Sequence, residues 1–294
     1  MSATLQPVAT VAPRRFGGPL AGAWSHPVTR VGAVLTLAVL VLSLVGPALA
    51  PHATTDFVGP PFSPPIEGAP LGTDYLGRDV LTGVLNGGRS LLWMAFASTA
   101  LGVGAGVLLG MVAGYARGLL DDVIMRCLDV LYAFPYIVLV LLFVSLLGSP
   151  AWLIVLLVAI GWVPGVARTT RGITLEVCTR EFVEAAEVLG TPRRTILRRE
   201  VLPNLTTPLL VEFALRLTWA VGVIAGLSFL GYGVQPPASD WGLMINENRN
   251  GLAVNPWGVL APIGCIAAFA IGTNLLADGI GRTLAGTDRA VGRP

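Results

Sequence analysis

Charged side chains are scarce in this chain of 294 residues, at 12% of positions, yet eight of them crowd into residues 181–204, EFVEAAEVLGTPRRTILRREVLPN. The chemistry open to such a segment is limited by what the rest of the sequence withholds. All 19 basic residues are arginine. Without lysine there is no ordinary Walker A site, whose lysine must reach the β- and γ-phosphates, and no Schiff base. Cys127, Cys178 and Cys265 lie far apart with no CxxC pair and read as small apolar fillers. His26 and His52 flank the first apolar run beside prolines, a pattern of loop positions rather than metal ligands. No nucleophile, acid/base pair or metal-ligand cluster emerges, so the sequence predicts no catalytic residue and no metal. What remains for residues 181–204 is either recognition of a partner or a solvated loop packed on its own spans.

The spacing inside the segment predicts two short helices with a break. Phe182, Ala185, Ala186 and Leu189 follow the i, i+3, i+4, i+7 pattern of one helical face. Glu181, Glu184 and Glu187 fall on other faces. Gly190 is placed as a C-cap, Thr191 as the next N-cap and Pro192 as its first helical residue. Pro203 is expected to stop the second helix. Two alanines in the stripe let another backbone come close, which suits a helix seated in a partner's groove. The arginines of the second helix, Arg193, Arg194, Arg198 and Arg199, are open to an acidic partner surface, lipid phosphates or solvent.

Outside this segment, Glu212 and Arg216 stand four apart on one helical face within an apolar run. They can pair with each other or serve as a gate or pathway element, since charges inside a membrane span are functional candidates. Asp129 and Asp278 sit at the ends of apolar runs, where an interfacial position accounts for them.

The elements that must hold these residues are membrane spans. Apolar residues make up 54% of the chain and its mean hydropathy is +0.74, while a soluble domain carries about twice this share of charge. The fold class is all-α, a polytopic membrane protein. Six apolar stretches are long enough for ~30 Å of hydrocarbon, which takes ~20 helical residues. They are placed near 31–50, 92–115, 129–147, 151–168, 208–232 and 257–280. Ala48-Leu49-Ala50 imitates a signal-peptidase site, but Pro51 follows directly and the lead-in is long, so the first span is read as retained.

With the N-terminus inside, 15 arginines fall in cytoplasmic segments and three, Arg78, Arg89 and Arg249, fall outside, in keeping with the positive-inside rule. The expected organisation is a cytoplasmic tail, 1–30, a transmembrane domain, 31–280, and a second cytoplasmic tail, 281–294. Within the domain, 51–90 is external and 169–207 is a long cytoplasmic loop. The external segment is too rich in proline for helix in its first part. In its second part Leu76, Val80, Leu81, Val84 and Leu85 repeat at helical spacing, predicting a helix along the interface or over the pore mouth. GYGVQPPASDWG, 231–242, is expected to be a rigid external loop with Trp241 exposed, either as an interfacial anchor or toward a partner.

Glu184-Ala185-Ala186, Gly190 and Leu202-Pro203, after the fourth span, resemble the EAA loop of bacterial ABC importer permeases. LGTDYLGRDVL at 71–81, RCLDVLYAFP at 126–135, LSFLGYGVQPPASDWG at 227–242 and NLLADGI at 274–280 are similar to one branch, the C-type permease subunit of dipeptide, oligopeptide and nickel importers. Glu200 departs from that pattern, since relatives often carry a neutral or basic residue there. The resemblance implies a type I importer permease fold and a coupling helix that docks into a cleft of an ATPase subunit. Phe182, Glu184, Ala185, Ala186, Leu189, Gly190, Leu202 and Pro203 become the implied coupling residues. It also implies partners: a homologous B-type permease subunit in a heterodimer, one or two ABC ATPases that bind ATP and Mg, and an extracytoplasmic substrate-binding protein. No cofactor is expected on this chain, which would lie in the bacterial cytoplasmic membrane and transport rather than catalyse. The rival reading is a stand-alone ion-coupled secondary transporter, which calls for mid-span carboxylates and inverted repeats. An intramembrane enzyme would need a catalytic pair.

Overall fold

Thirty-seven residues, Val80–Ala116, form one unbroken helix, about 55 Å long at 1.5 Å per residue. The computed structural model describes residue 24 and residues 26–285, so most of the expected tails, with Arg14, Arg15, Arg289 and Arg293, lie outside the described residues. Numbered in chain order, the elements are α1 (Pro27–Leu49), α2 (Val80–Ala116), α3 (Gly118–Tyr132), α4 (Tyr136–Leu147) and α5 (Ala151–Val177). There follow α6 (Glu181–Val188), α7 (Arg193–Ile196), a π-helical turn (Leu197–Val201) and α8 (Leu202–Phe229). The series ends with α9 (Trp241–Asn248) and α10 (Trp257–Ala285).

Five helical stretches are single spans by length and composition, and α3 with α4 makes a sixth if the bent pair crosses as one. The two halves meet at 71°. Pro135 precedes α4; it lacks an N–H and turns the residue before it away from the helical region, so the helix cannot run through. The expected third span, 129–147, is therefore two helices. No separate interfacial helix exists in 51–90. Leu76 lies in a turn, and Val80 onward is the N-terminal end of span two. The helix starts where it does because the Asp79 carboxylate accepts from the backbone N–H groups of Leu81 and Thr82, a strong N-cap.

Close backbone packing holds the spans together. On α2, Gly102, Gly106, Gly110 and Gly114 recur every fourth residue and face α5. A Cβ at Gly102 would fall 2.6 Å from the Ala159 carbonyl oxygen, and one at Gly110 2.4 Å from that of Ala167. Small residues permit this approach where lipid gives no hydrophobic drive to association. Between α1 and α10, a Cβ on Gly32 or Gly272 would meet the other helix's backbone at 2.8 Å.

The proline-rich stretch after α1 carries no helix and is a strap of turns closed by isolated bridges between Phe57 and Arg78 and between Thr73 and Asp79. The LGTDYLGRDVL motif organises it. One Asp74 carboxylate oxygen accepts from the N–H groups of Leu76 and Arg78, and the other accepts from Arg78 Nε at 2.7 Å. The strap is fastened to α9: Tyr75 Oη donates to Glu247 at 2.8 Å, and Tyr75 N to Asn248 Oδ1 at 3.0 Å.

Trp241 is fully buried (0% exposed), contrary to the expected exposed anchor. Its ring lies against Gly87 and Gly88 of α2, where a Cβ would come within 2.8 and 2.5 Å of it. The loop folds back over the mouth of α2 instead of standing in the interface.

Candidate functional site

The helix α6 begins after Arg180, whose backbone is extended, with Glu181 and Glu184 in its first turn, where carboxylates favour the helix dipole. It ends as the glycine predicted. Gly190 has φ of +73°, its N–H donates to the Glu187 carbonyl at 2.9 Å, and Thr191 N donates to that of Ala186 at 3.1 Å. This is a Schellman cap, and a left-handed residue there favours glycine.

The face by which α6 is held to its own chain lies beside the Phe182–Leu189 stripe and takes one residue from it. Val183, at 1% exposed, joins a cluster with Ile196, Val201 and Leu205, and Ala186 packs at its edge. The opposite side is open. Phe182 is 38% exposed and Val188 and Leu189 are each 83% exposed, with Ala185 exposed between them. The predicted stripe is thus split, with Ala186 turned toward its own protein and Phe182, Ala185 and Leu189 turned outward. Val183 and Val188 were missed. Val183 stands three before Ala186, a weaker apolar repeat than Phe182–Leu189.

Beyond the glycine, Pro192 occupies the N-cap position and no side chain caps α7, so Thr191 does not serve as predicted. Nor does Pro203 stop the helix. From Arg193 to Phe229 the chain is one 37-residue helical stretch, and Pro203 is the second residue of α8. The turn before it is π-helical, with Leu202 N bonded to the Leu197 carbonyl. Widening that turn accommodates a residue that has no N–H to give and whose ring crowds the preceding turn. Leu202 packs against the same cluster as Val183.

Deeper in the span, Arg216 donates to Glu212 Oε1 through Nε at 2.9 Å and Nη2 at 2.7 Å. Arg216 also lies over the Trp162 ring, 5.4 Å from its centroid. A Cβ at Gly165 would come 3.0 Å from Arg216 Nη2 and 3.2 Å from Tyr132 Oη, so α5 leaves room here for the guanidinium. The pair lies in the first turns of the apolar run 208–232, on a helix that already starts at Arg193. Arg216 is thirteen residues from Phe229, about 20 Å along the helix from that end. The pair is neutral as a unit, on a single helix, and joins no two helices by itself.

Other candidates resolve more simply. Asp129 pairs with Arg168, and Arg168 covers the Tyr132 ring at 4.5 Å. Asp278 is exposed. His52 Nδ1 lies 3.6 Å from the Asp79 carboxylate, within the strap. Among the described residues Cys127, Cys178 and Cys265 are unpaired, and no group of three or more His, Cys, Asp or Glu is placed to hold a metal ion.

Residues 106–286 match the family model for the binding-protein-dependent transport system inner membrane component. The oligopeptide transport system permease protein OppC of Haemophilus influenzae is 34% identical over 267 residues, 87% of this chain and 85% of that protein. The dipeptide transport system permease protein DppC of Bacillus subtilis is 34% identical over 252 residues, 85% of this chain and 78% of the other. The glutathione transport system permease protein GsiD of Pectobacterium atrosepticum is 39% identical over 210 residues, 71% of this chain and 70% of its own length. With its long apolar helices and that family match, the chain belongs to the binding-protein-dependent transport system inner membrane components, as a multi-pass permease.

Proposed function

We propose that this chain is one of two permease subunits through which an ATP-driven importer moves peptides across the cytoplasmic membrane, and that α6 transmits the movement of a cytoplasmic ATPase. The observation that carries the reading is the open apolar face of α6, Phe182, Val188 and Leu189, on a helix whose other side is anchored through Val183. A side chain left 83% exposed on a helix otherwise fixed to the spans suits a groove in another subunit. The names of the relatives, for oligopeptides, dipeptides and glutathione, support a peptide substrate.

The remaining assignments follow from the same reading. The excess of arginine in the segments flanking α6 supports a cytoplasmic position for it and for both termini. ATP and Mg are bound by the ATPase subunits, since this chain has no lysine for a P-loop. A homologous B-type subunit completes the pathway, and the strap with α9 faces an external binding protein. Glu184, Gly190, Leu202 and Pro203 act by shaping and seating α6, whereas Phe182, Ala185 and Leu189 make the contact.

The test is peptide uptake by proteoliposomes holding both permeases, the ATPases and the binding protein. Leu189→Asp is expected to abolish uptake while the permease remains folded, either by losing the ATPase or by leaving hydrolysis uncoupled. Ala186→Trp is a poorer probe, because that side chain already packs within its own chain. Full coupled uptake by both Leu189→Asp and Phe182→Asp would remove the docking assignment. Ion-driven uptake by this chain alone would establish a secondary transporter instead.

A further inference from the structure

The arginines after Gly190 have no role in the reading above, and their arrangement is specific. Arg194, Thr195, Arg198 and Arg199 line one open hollow of about 470 Å³. In a regular α-helix Arg199 would lie about 140° around from Arg194. The π-helical turn over Leu197–Val201 stacks residues five apart and brings the two toward one side, with Arg198 between them. Among the described residues no ion pair engages Arg194, Arg198 or Arg199. Three guanidiniums and a hydroxyl facing one hollow are donors in search of an anion.

The depth of the hollow decides which anion. If the ~20 residues needed to cross the hydrocarbon end at Phe229, the hydrocarbon begins near residue 210. Arg199 then lies about 16 Å below that edge and Arg194 about 24 Å below it. The headgroup layer extends only ~5–8 Å on each side, so the hollow is in water, beyond lipid phosphates. It is, however, beside α6. Five residues separate Leu189 from Arg194, which places them no more than about 18 Å apart. A standard interface of ~800 Å² per partner is about 30 Å across. One partner that spans both α6 and the turn after it, with Leu189 off its centre, reaches the hollow as well. Ile196 and Val201 pack with Val183, so the two surfaces form one rigid piece.

We propose that this hollow receives a cluster of carboxylates on the ATPase subunit, flanking the groove that takes α6, and that it speeds and orients docking. The proposal rests on the docking reading, and its test separates the two. The full permease pair, in nanodiscs of zwitterionic lipid, is presented to purified ATPase while association and dissociation rates are followed across salt concentrations. A triple variant, Arg194→Gln, Arg198→Gln and Arg199→Gln, is expected to associate about tenfold more slowly at ~50 mM salt, the gap closing near ~500 mM as screening shortens the reach of charge. The corresponding triple Lys variant should keep most of the parent's rate. Equal rates for parent and Gln variant at low salt would overturn the proposal, as would a loss independent of salt. A difference that appears only in nanodiscs containing anionic lipid would assign the arginines to lipid phosphate and overturn it too. Leu189→Asp reports on docking itself: it should speed dissociation at every salt concentration. If it does not, while the arginine effect persists, the docking helix is misassigned and the arginine contact stands.

Discussion

The indole Nε1 of Trp241 donates a 2.9 Å hydrogen bond to the backbone carbonyl of Val84, 157 residues away in sequence. This contact fixes the loop before the last span onto the N-terminal end of span two. Asp240, one residue earlier, caps α9 by accepting from Gly242 and Leu243 N–H groups. Removing the indole should therefore release the whole cap formed by the strap and α9. Trp241→Ala is expected to cost about 3–5 kcal/mol, as for other buried aromatics. Trp241→Phe, which keeps most of the volume but not the donor, should cost about 1–2 kcal/mol. Unfolding in mixed micelles gives both values, and a neutral Trp241→Ala would show that the cap carries no stability.

The cap should also be sensitive to pH, in the acidic direction. Burial pushes Glu247 above the usual carboxylate range despite Tyr75 and Arg78 beside it, and Asp74 adds to the rise. Burial likewise raises Asp240, against hydrogen bonds from Ser90 and the backbone N–H groups of Gly242 and Leu243. In the window between their ordinary and raised values the folded cap holds protons that the unfolded chain has lost. Stability then falls as pH rises through that window and is greatest at its acidic end. Hydrogen exchange of residues 71–79 and 241–248 should slow as pH drops through that window, after correction for intrinsic exchange. Glu247→Gln should flatten that profile, with Asp240 supplying any remaining slope.

These two devices illustrate which parts of the fold were legible in the sequence. Spans could be placed because an apolar run of ~20 residues has one good use, and the end of α6 because a glycine after a helical repeat has few others. GYGVQPPASDWG, by contrast, has the local composition of an exposed loop. Its tryptophan is buried only because Gly87 and Gly88 leave a surface for it on a distant helix. Pro203 was read as a stop because proline costs a helix its hydrogen bond, and a single widened turn removed that objection. The stripe Phe182–Leu189 is split for a similar reason. Periodicity finds an apolar face, but whether Val183 or Leu189 faces the protein depends on where α7 and α8 lie.

Two ion pairs link α3 to α5 and should differ in value. Asp121 is buried and accepts two bonds from Arg171, through Nε at 2.5 Å and Nη2 at 2.6 Å. The pair of Asp129 and Arg168 is largely exposed. Bidentate, charge-assisted bonds to a buried carboxylate are among the stronger ones, whereas exposed pairs contribute about 0–1 kcal/mol. Asp121→Ala should therefore cost about 1.5–3 kcal/mol, and Asp129→Ala less than about 1 kcal/mol. Double-mutant cycles with Arg171→Ala and Arg168→Ala would measure the two couplings. Equal couplings would mean that burial of Asp121 does not strengthen its pair.

The glycines of α2 allow a test with an internal control on the same helix. Gly110 faces α5 so closely that a methyl group would fall 2.4 Å from the Ala167 carbonyl oxygen and 2.7 Å from Thr170 Cβ. Neither can yield without moving a backbone or a helix. Gly104, six residues earlier, has nothing within 4 Å of its absent Cβ. Both lie in the interior of α2, so the gain in helix propensity from Gly→Ala is the same for each, up to about 1 kcal/mol. At Gly104 that gain should appear undiminished, leaving the protein unchanged or slightly more stable. At Gly110 it should be outweighed by overpacking of about 1–3 kcal/mol, with α2 and α5 pushed apart. The same separation would tilt α5, whose C-terminal end leads directly into α6, so uptake is expected to fall for Gly110→Ala and hold for Gly104→Ala. Matched stability and matched uptake in the two variants would show that α2 and α5 pack less closely than the glycine spacing requires.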